Sequence, residues 1–374
     1  MLKLRRIISA LSMEILYDKI VREMIFCMAI KHTYNGKYLK LHKAYKTPSW
    51  GKDTVLVTDT WDYVSLWLKR ENKPEAQFYW EQAKSFFEAT QSLPKTSAPL
   101  TAYYCFLNAA KCLLMVKGIP FDKRHGVSGW SKPGRVSLSK EIVKLQNKGI
   151  LSELCRYYGE TINKNTYSIK NIFYNLPFIH RAYHLTYISE QELFLPIKEP
   201  EYVHAPASTK SWFTAILDPH YVHGQTLRIL PPTFEKDVGD NTCYRVRRKK
   251  RFKWQRGNGN QTTNLQQLTK YHQDTRKYVF YIHGPMRLWY LKRDKRNLPA
   301  FIERHTVPLM FGAMHRLSEL ARYNPDYLAK HFVSQHNWLL SEFIQIAPTQ
   351  FIDEISSEIT GQEFMTPGRA ARSL

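Results

Sequence analysis

The residues that most clearly indicate a chemical function form one short segment, RVRRKKRFKWQR at residues 245–256, which we call the basic strip. It holds eight cations and no carboxylate, a density that is costly to maintain without a polyanion nearby. Cations give salt-dependent affinity for phosphates, and aromatic rings add stacking that tolerates any base. The strip therefore predicts phosphate contacts and base stacking through Arg245, Arg247, Arg248, Lys249, Lys250, Arg251, Phe252, Lys253, Trp254 and Arg256.

Positive charge continues beyond the basic strip. Between Arg245 and Arg304, 17 Lys or Arg face 3 Asp or Glu, so this stretch carries +14 of the chain's formal +23. A second group of phosphate contacts is predicted at Lys292, Arg293, Lys295 and Arg296. A solvated surface or attraction to anionic lipid are alternative interpretations, because net charge alone indicates only non-specific polyanion binding. We expect nucleic acid, RNA or DNA, and no membrane.

The C-terminal end has the opposite charge. From Phe332 to Met365 the chain contains five carboxylates and no Lys or Arg. This asymmetry predicts acidic, amphipathic C-terminal helices. Such helices could dock on a protein partner or on the basic face of another copy.

A second group of residues could support chemistry on a phosphodiester. Asn108 and Lys111 lie one turn apart in an otherwise apolar segment, where they could bind a phosphate or form a buried polar network. His125 could act as a general acid or base, or be an ordinary loop histidine. Arg322 could bind an anion or complement a helix C-terminus, and His331 is a second acid/base candidate.

Motifs for other chemistries are weak. Asp218, His220 and His223 resemble half of a metal site, but no further ligands have suitable spacing. The sequence contains no Walker-type loop, dinucleotide fingerprint or GxSxG elbow. We expect no metal and no cofactor.

Composition indicates a folded protein of the cytoplasm. The chain has 374 residues, of which 43% are hydrophobic, enough to fill a core. Five scattered cysteines without a CxxC pair do not suggest a disulfide framework. Residues 1–30 read as an amphipathic helix without a cleavage site, and Met13 or Met24 could be the true start.

The predicted elements give an α+β protein in which N- and C-terminal helices form a bundle and the centre is mixed β and loop. Helices are predicted from Pro74, over an apolar segment closed by Gly118, and again from about Leu298, with a break at Pro325. The polar segment QRGNGNQTTNLQQ reads as a mobile loop. The expected domains are 1–59, 60–180, 181–297 and 298–374.

Several stretches together resemble the YaaC-like family of bacterial proteins. They include WDYVSLWL from Trp61, HGVSG from His125, NKGILSEL from Asn147, RLWYLKRDKRNLPAF from Arg287 and ELARYNPDYL from Glu319. The resemblance runs in the same order over roughly residues 60–345. The first 50 residues and the basic strip match it poorly.

The helical pair around SFFEAT and YYCFLNAAK also resembles the core of HEPN-type domains, many of which are metal-independent ribonucleases in defence systems. In such enzymes one helix carries Asn or an acid near Lys or Arg, and another carries Arg, four to six residues, then His. Asn108 and Lys111 suit the first part. Arg322 and His331 depart from the second, because eight residues separate them.

The sequence thus predicts a nucleic-acid-binding protein, with RNA favoured, in a defence or stress context. One alternative is a HEPN-like ribonuclease, in which Arg322 stabilises the phosphorane, His125 or His331 moves protons, and Asn108 with Lys111 orients the phosphate. The other alternative is an assembly protein without chemistry.

Overall fold

A computed structural model describes most of the chain. The described residues are 29–162, 165–206, 208–224, 228, 230–237, 243–284, 288–294 and 298–365. The helix expected over residues 1–30 lies almost wholly outside them, as do Lys295 and Arg296.

The chain divides into two compact units. Unit 1 contains the described residues up to Leu41 together with Leu195–Tyr278, and unit 2 contains His42–Phe194 together with the described residues from Val279 onward. The basic strip therefore belongs to unit 1. The candidates for phosphodiester chemistry, from Asn108 to His331, belong to unit 2.

The described helices, except for three short 3-10 turns, are α1 (Thr60–Arg70), α2 (Pro74–Ser92), α3 (Ala98–Val116), α4 (Ile150–Tyr157), α5 (Ile169–Tyr174), α6 (His180–Thr186), α7 (Gln261–Arg276), α8 (Thr306–Tyr323), α9 (Pro325–Phe332) and α10 (Asn337–Thr360).

The described strands are β1 (Ile30–Lys31), β2 (Thr33–Tyr34), β3 (Lys37–Tyr38), β4 (Val55–Leu56), β5 (Val127–Ser131), β6 (Glu141–Leu145), β7 (Thr166–Ser168), β8 (Phe194–His204), β9 (Lys210–Leu217), β10 (Phe234–Lys236), β11 (Arg245–Arg248), β12 (Phe252–Lys253), β13 (Val279–Ile282), β14 (Leu288–Lys292) and β15 (Phe364–Met365).

The prediction of an α+β protein is confirmed as a mixture of helices and antiparallel sheet. In unit 2, α3 is apolar on nearly every side and packs against α2, α8 and α10. The rings of Phe106 and Phe351, from α3 and α10, stack 3.9 Å apart. A helix that is apolar all round needs such enclosure. By length and composition α3 could also cross a membrane, but 67% of its apolar window is buried inside the protein.

Helix α10 differs from the acidic, amphipathic C-terminal helices that the sequence predicted, because most of its carboxylates are buried. Three of its carboxylates, on Asp353, Glu354 and Glu358, are buried. Lys43 Nζ lies 2.9 Å from Asp353, and Tyr157 donates a hydrogen bond of 2.5 Å to Glu358. These charges are satisfied inside unit 2, so they do not form an acidic face toward a partner.

Of the two helix boundaries predicted near Leu298 and at Pro325, the structure confirms one. The break at Pro325 is confirmed, because α8 ends at Tyr323 and α9 begins at Pro325. The predicted helix start near Leu298 is wrong. Residues 298–305 are irregular, and α8 begins at Thr306, where His305 accepts a hydrogen bond from the backbone N–H of Val307.

Unit 1 is an antiparallel sheet with one long helix. Its strands are ordered β10-β11-β9-β8, with β1 paired to β8 and β12 paired to β9. The mobile loop predicted for residues 255–267 is wrong in its second half, since α7 begins at Gln261. Tyr271 of α7 accepts a hydrogen bond from the backbone N–H of Phe213 in β9, which holds the helix against the sheet.

Two of the family-like stretches meet in unit 2. Gly126 of HGVSG and Gly149 of NKGILSEL lie back to back, both with positive φ. A Cβ on Gly149 would lie 2.5 Å from the backbone nitrogen of Gly126. Only glycine permits this backbone angle and this approach together.

The close approach at Gly149 predicts a large loss of stability in Gly149→Ala. Gly134→Ala is the matched control, because Gly134 has φ +118° against +115° for Gly149, but a Cβ there would meet only the end of the Lys140 side chain, at an ordinary 3.9 Å. Backbone strain alone costs about 1–3 kcal/mol. We expect Gly134→Ala to stay in that range and Gly149→Ala to exceed it in denaturant unfolding. Equal losses would mean that the steric contact contributes nothing.

Candidate functional site

The sheet of unit 1 divides the basic strip between its two faces. Side chains in a strand alternate, and in β11 Arg245 and Arg247 lie on one face while Val246 and Arg248 lie buried on the other. The cations therefore do not form a single surface. Each must be considered with its own neighbours.

Arg247 is neutralised within the sheet. It faces Glu235 directly across the β10–β11 pair, and its Nε donates to that carboxylate over 2.9 Å. Its Nη1 also donates to Asp237 over 3.1 Å. Arg251 reaches the same Glu235 at 3.7 Å and lies 4.7 Å from the centre of the Trp212 ring. Burial, followed by the charge of Arg247, lowers the pKa of Arg251.

Arg248 is an interior residue, with only 4% of its surface exposed. Its Nη1 donates to the Thr275 hydroxyl over 3.2 Å, and its guanidinium lies within 6 Å of the rings of Phe234, Tyr271 and Tyr278. Cation–π contacts compensate part of the cost of burying this charge. It is not available to an external phosphate.

Two further cations of the strip have carboxylate partners at the surface. Arg245 lies 3.6 Å from Glu199, and Lys250 lies 2.5 Å from Asp274. Both pairs are partly exposed, and pairs that solvent screens in this way contribute little to stability. Both cations could still take part in binding a polyanion.

The remaining cations, Lys249, Lys253 and Arg256, are exposed and form no ion pair with any residue that the structure describes. Lys253 faces Lys210 directly across the β12–β9 pair, and Lys210 is also exposed and without such a partner there. Like charges placed directly opposite each other repel. Sequence reasoning missed Lys210, because it lies 43 positions before Lys253 in the chain.

The two aromatic residues of the strip have different surroundings. Phe252 is 8% exposed and packs against Tyr271 with ring centres 4.7 Å apart, so it offers no face to a base. Trp254 is partly exposed, and its ring centre lies 4.5 Å from that of His32. Of the two predicted stacking residues, Trp254 alone lies at an opening.

That opening is a cleft of about 420 Å³, which we call the Trp254 cleft. It is the size of a small-ligand site. Its lining contains cations, aromatic rings, hydroxyls and amides but no carboxylate side chain, and includes Lys31, His32, Tyr34, Ser208, Trp254, Arg256 and Asn264.

Helix α7 fixes the wall of the Trp254 cleft. Asn264 accepts a hydrogen bond from the backbone N–H of Gln255 and donates one to its carbonyl, both at 2.8 Å. The backbone N–H of Trp254 donates to Thr209 over 2.8 Å. These bonds hold Trp254 in place without a ligand.

His32 forms the floor beside Trp254. It is buried and shares a hydrogen bond of 2.7 Å with the hydroxyl of Ser211. Burial, followed by the nearby His204, lowers its pKa to about 3. The ring is therefore neutral at ordinary pH and acts as a packing surface. Lys31 is paired with the buried Glu201 over 2.9 Å, so Arg256 supplies the positive charge of the cleft that no described carboxylate neutralises.

The two described members of the second predicted group of phosphate contacts, Lys292 and Arg293, lie inside unit 2. Lys292 is buried, donates to the carbonyl of Ile302 over 2.7 Å, and lies 4.5 Å from the ring centre of Phe301. Burial lowers its pKa to about 7. Arg293 is 8% exposed. Neither cation is presented to an external polymer, which corrects the prediction for both.

The five candidates for phosphodiester chemistry do not form one site among the described contacts. Asn108 is buried and donates to the carbonyl of Tyr104 in its own helix, which is a structural bond. Lys111 lies 5.0 Å from the ring centre of Tyr79, and burial lowers its pKa. Arg322 is exposed and lies over the ring of Tyr323.

His125 and Lys111 are near enough to interact. The pKa of His125 is lowered by burial and by the charge of Lys111. The Nδ1 of His125 shares a hydrogen bond of 2.6 Å with the hydroxyl of Tyr103. Of the five candidates for phosphodiester chemistry, this pair alone shares an electrostatic interaction within the described structure.

His331 belongs to a different cluster that sequence reasoning missed. Its Nε2 lies 3.6 Å from Glu141, and both residues are fully buried. Arg316 donates to Glu141 over 3.0 Å and to Glu319 over 2.9 Å. The arginine near His331 is therefore Arg316, not Arg322. The carboxylate that joins them is supplied by β6, far away in the sequence.

One family model matches the chain. It is described as YaaC-like Protein and matches residues 40–359. No curated protein and no solved structure matches the chain. The resemblance to HEPN-type domains is not among the matches.

The division of the strip predicts different results for two neighbouring cations. Arg247→Met leaves the buried Asp237 without its cation, and breaking a buried pair costs about 3–5 kcal/mol. Lys249→Met removes an exposed charge and should change stability by about 0.5 kcal/mol or less. Denaturant unfolding of both variants tests this. Equal effects would contradict the structural role of Arg247.

Proposed function

The chain belongs to the YaaC-like protein family, and we propose that this member binds single-stranded nucleic acid through the outer surface of unit 1. The phosphate contacts are Lys210, Lys249, Lys253 and Arg256. Trp254 stacks on a base that enters the Trp254 cleft.

The observation that carries the proposal is the pair Lys253 and Lys210. They face each other across two strands, both exposed, with no ion-pair partner among the described residues. The arrangement costs stability unless an anion bridges the two ammonium groups. Arg256 and Trp254 follow immediately in the chain, so phosphate and base contacts lie a few residues apart.

A single strand suits the cleft better than a duplex does. Stacking on Trp254 needs an unpaired base, and a volume of about 420 Å³ accommodates one nucleotide. The cleft also presents hydroxyl and amide groups, from Thr33, Ser208 and Gln261, that can bond a ribose 2′-hydroxyl. We therefore favour RNA over DNA.

The proposal is limited to binding. Asn108, Arg322 and His331 share no hydrogen bond, ion pair or ring contact with one another or with the pair His125 and Lys111 within the described chain. An RNA ligand should therefore remain intact after incubation with pure protein.

Reversing the exposed cations should weaken binding in a salt-dependent way. In the triple variant Lys210→Glu, Lys253→Glu, Arg256→Glu, three phosphate contacts are lost. Each contact on a single strand contributes about 0.7 to the slope of log affinity against log salt, so the slope should fall by about 2. Fluorescence anisotropy with a labelled RNA at several salt concentrations measures both quantities.

The matched control places the same charge change on unit 2, at the exposed residues Lys69, Lys73 and Lys95, each replaced by Glu. This variant should keep most of the affinity and the original slope. If both triple variants lose affinity equally, only net charge matters and the proposed surface is wrong.

Trp254 should contribute affinity that does not depend on salt. Trp254→Ala removes the stacking ring, which costs about 1–3 kcal/mol per base, while Trp254→Phe keeps a flat face. We expect clear weakening with Ala, partial recovery with Phe, and an unchanged salt slope in both. The same titration with DNA of identical sequence tests the preference for RNA. Unchanged affinity in Trp254→Ala would rule out stacking there.

A further inference from the structure

Unit 2 contains a second cleft, of about 640 Å³, which we call the His125 cleft. Two segments, 124–127 and 144–148, form its walls, and Asn165 completes the lining. It lies in the part of the chain that resembles the family. The nucleic-acid surface proposed above does not include any of its residues.

The walls of the His125 cleft are fixed by backbone hydrogen bonds. Ile150 donates to the carbonyl of Arg124 over 2.9 Å, Leu151 to that of His125 over 3.1 Å, and Gln146 to that of Gly126 over 2.9 Å. Gly149 adopts φ 115° and ψ 179°, a conformation essentially restricted to glycine. The cleft is therefore formed before any ligand binds.

The charge of the cleft is positive. Arg124, Lys144 and Lys148 line it, and the lining contains no carboxylate. Lys144 is the exposed side chain of β6, whose other members are buried. Neither lysine forms an ion pair with a described residue, while Arg124 is bonded to the exposed Asp122 over 2.7 and 2.9 Å.

His125 adds a hydrogen-bond donor to the lining. The pKa of Tyr103 is raised above its usual range by burial, so its hydroxyl keeps the proton and can donate to Nδ1 of His125. The neutral ring then carries its own proton on Nε2. Lys111 adds a nearby positive charge, seen in its effect on the pKa of His125.

We propose that the His125 cleft binds a phosphate monoester, with Lys144, Lys148 and Arg124 around the phosphate and His125 donating a hydrogen bond to it. The side-chain amides of Gln146, Asn147 and Asn165 provide polar contacts for the rest of the ligand. The cleft volume matches a mononucleotide. The same monoester chemistry occurs in a free nucleotide and at the 5′ end of an oligonucleotide.

Calorimetry with AMP and with adenosine tests the proposal. AMP should bind and adenosine should not, because the phosphate supplies the recognised charge. The double variant Lys144→Glu, Lys148→Glu should weaken AMP binding at least about tenfold, since charged hydrogen bonds are the strong ones. The matched control is Lys69→Glu, Lys73→Glu, which should bind AMP normally. Both lysine pairs are exposed, and thermal melting checks folding.

The site is located by NMR of histidine-labelled protein. AMP should shift the His125 signals, and adenosine should not. Equal binding of AMP and adenosine, or unchanged AMP binding in the Lys144/Lys148 variant, overturns the proposal. Loss of AMP binding in the Lys210/Lys253/Arg256 variant alone also overturns it, while leaving the unit 1 proposal standing.

The source of the monoester is distinguished with a 5′-phosphorylated trinucleotide. If this ligand binds more tightly than AMP and the gain depends on Lys144 and Lys148, the cleft takes an oligonucleotide end. If AMP binds more tightly, the cleft takes a free nucleotide. Both results support a monoester site.

Discussion

The cost of burying charge constrains this structure more than any other interaction. Helix α10 places Asp353, Glu354 and Glu358 inside unit 2, where unpaired carboxylates would be strongly unfavourable. The partners come from segments far away in the sequence: Lys43, Tyr157 and Thr306. Burial by itself would raise the pKa of Asp353, but the positive charge of Lys43 outweighs this effect and lowers that pKa below its usual range. The apolar packing around α3 depends on this neutralisation.

The cost of burying charge also explains why part of the basic strip is neutralised within unit 1. Its most buried cations, Arg247 and Arg248, are held by carboxylates, hydroxyls and rings of unit 1 itself. What remains for a ligand is the solvent-exposed part of the strip and the Trp254 cleft. The function proposed for unit 1 therefore rests on a few exposed residues and not on the net charge of the segment.

Local patterns predicted the elements well and the sites only in part. The apolar segment of α3 that Gly118 closes and the proline at position 325 predicted helix boundaries correctly, because both signals lie within a few residues. The interpretation of the strip failed for Arg247 and Arg248, because Glu235 and Thr275 reach them from β10 and α7. Lys210 and Arg316 were missed for the same reason. Sequence windows do not contain cross-strand or interhelical partners.

The position of α10 has a consequence for protein synthesis. Lys43 and Asp353 are 310 positions apart, so their ion pair cannot form until Asp353 has left the ribosome. At about 5–20 residues per second, that interval is roughly 15–60 s. During this time the apolar surface of α3 lacks one of its covering helices. We expect unit 2 to complete its folding only after α10 has left the ribosome.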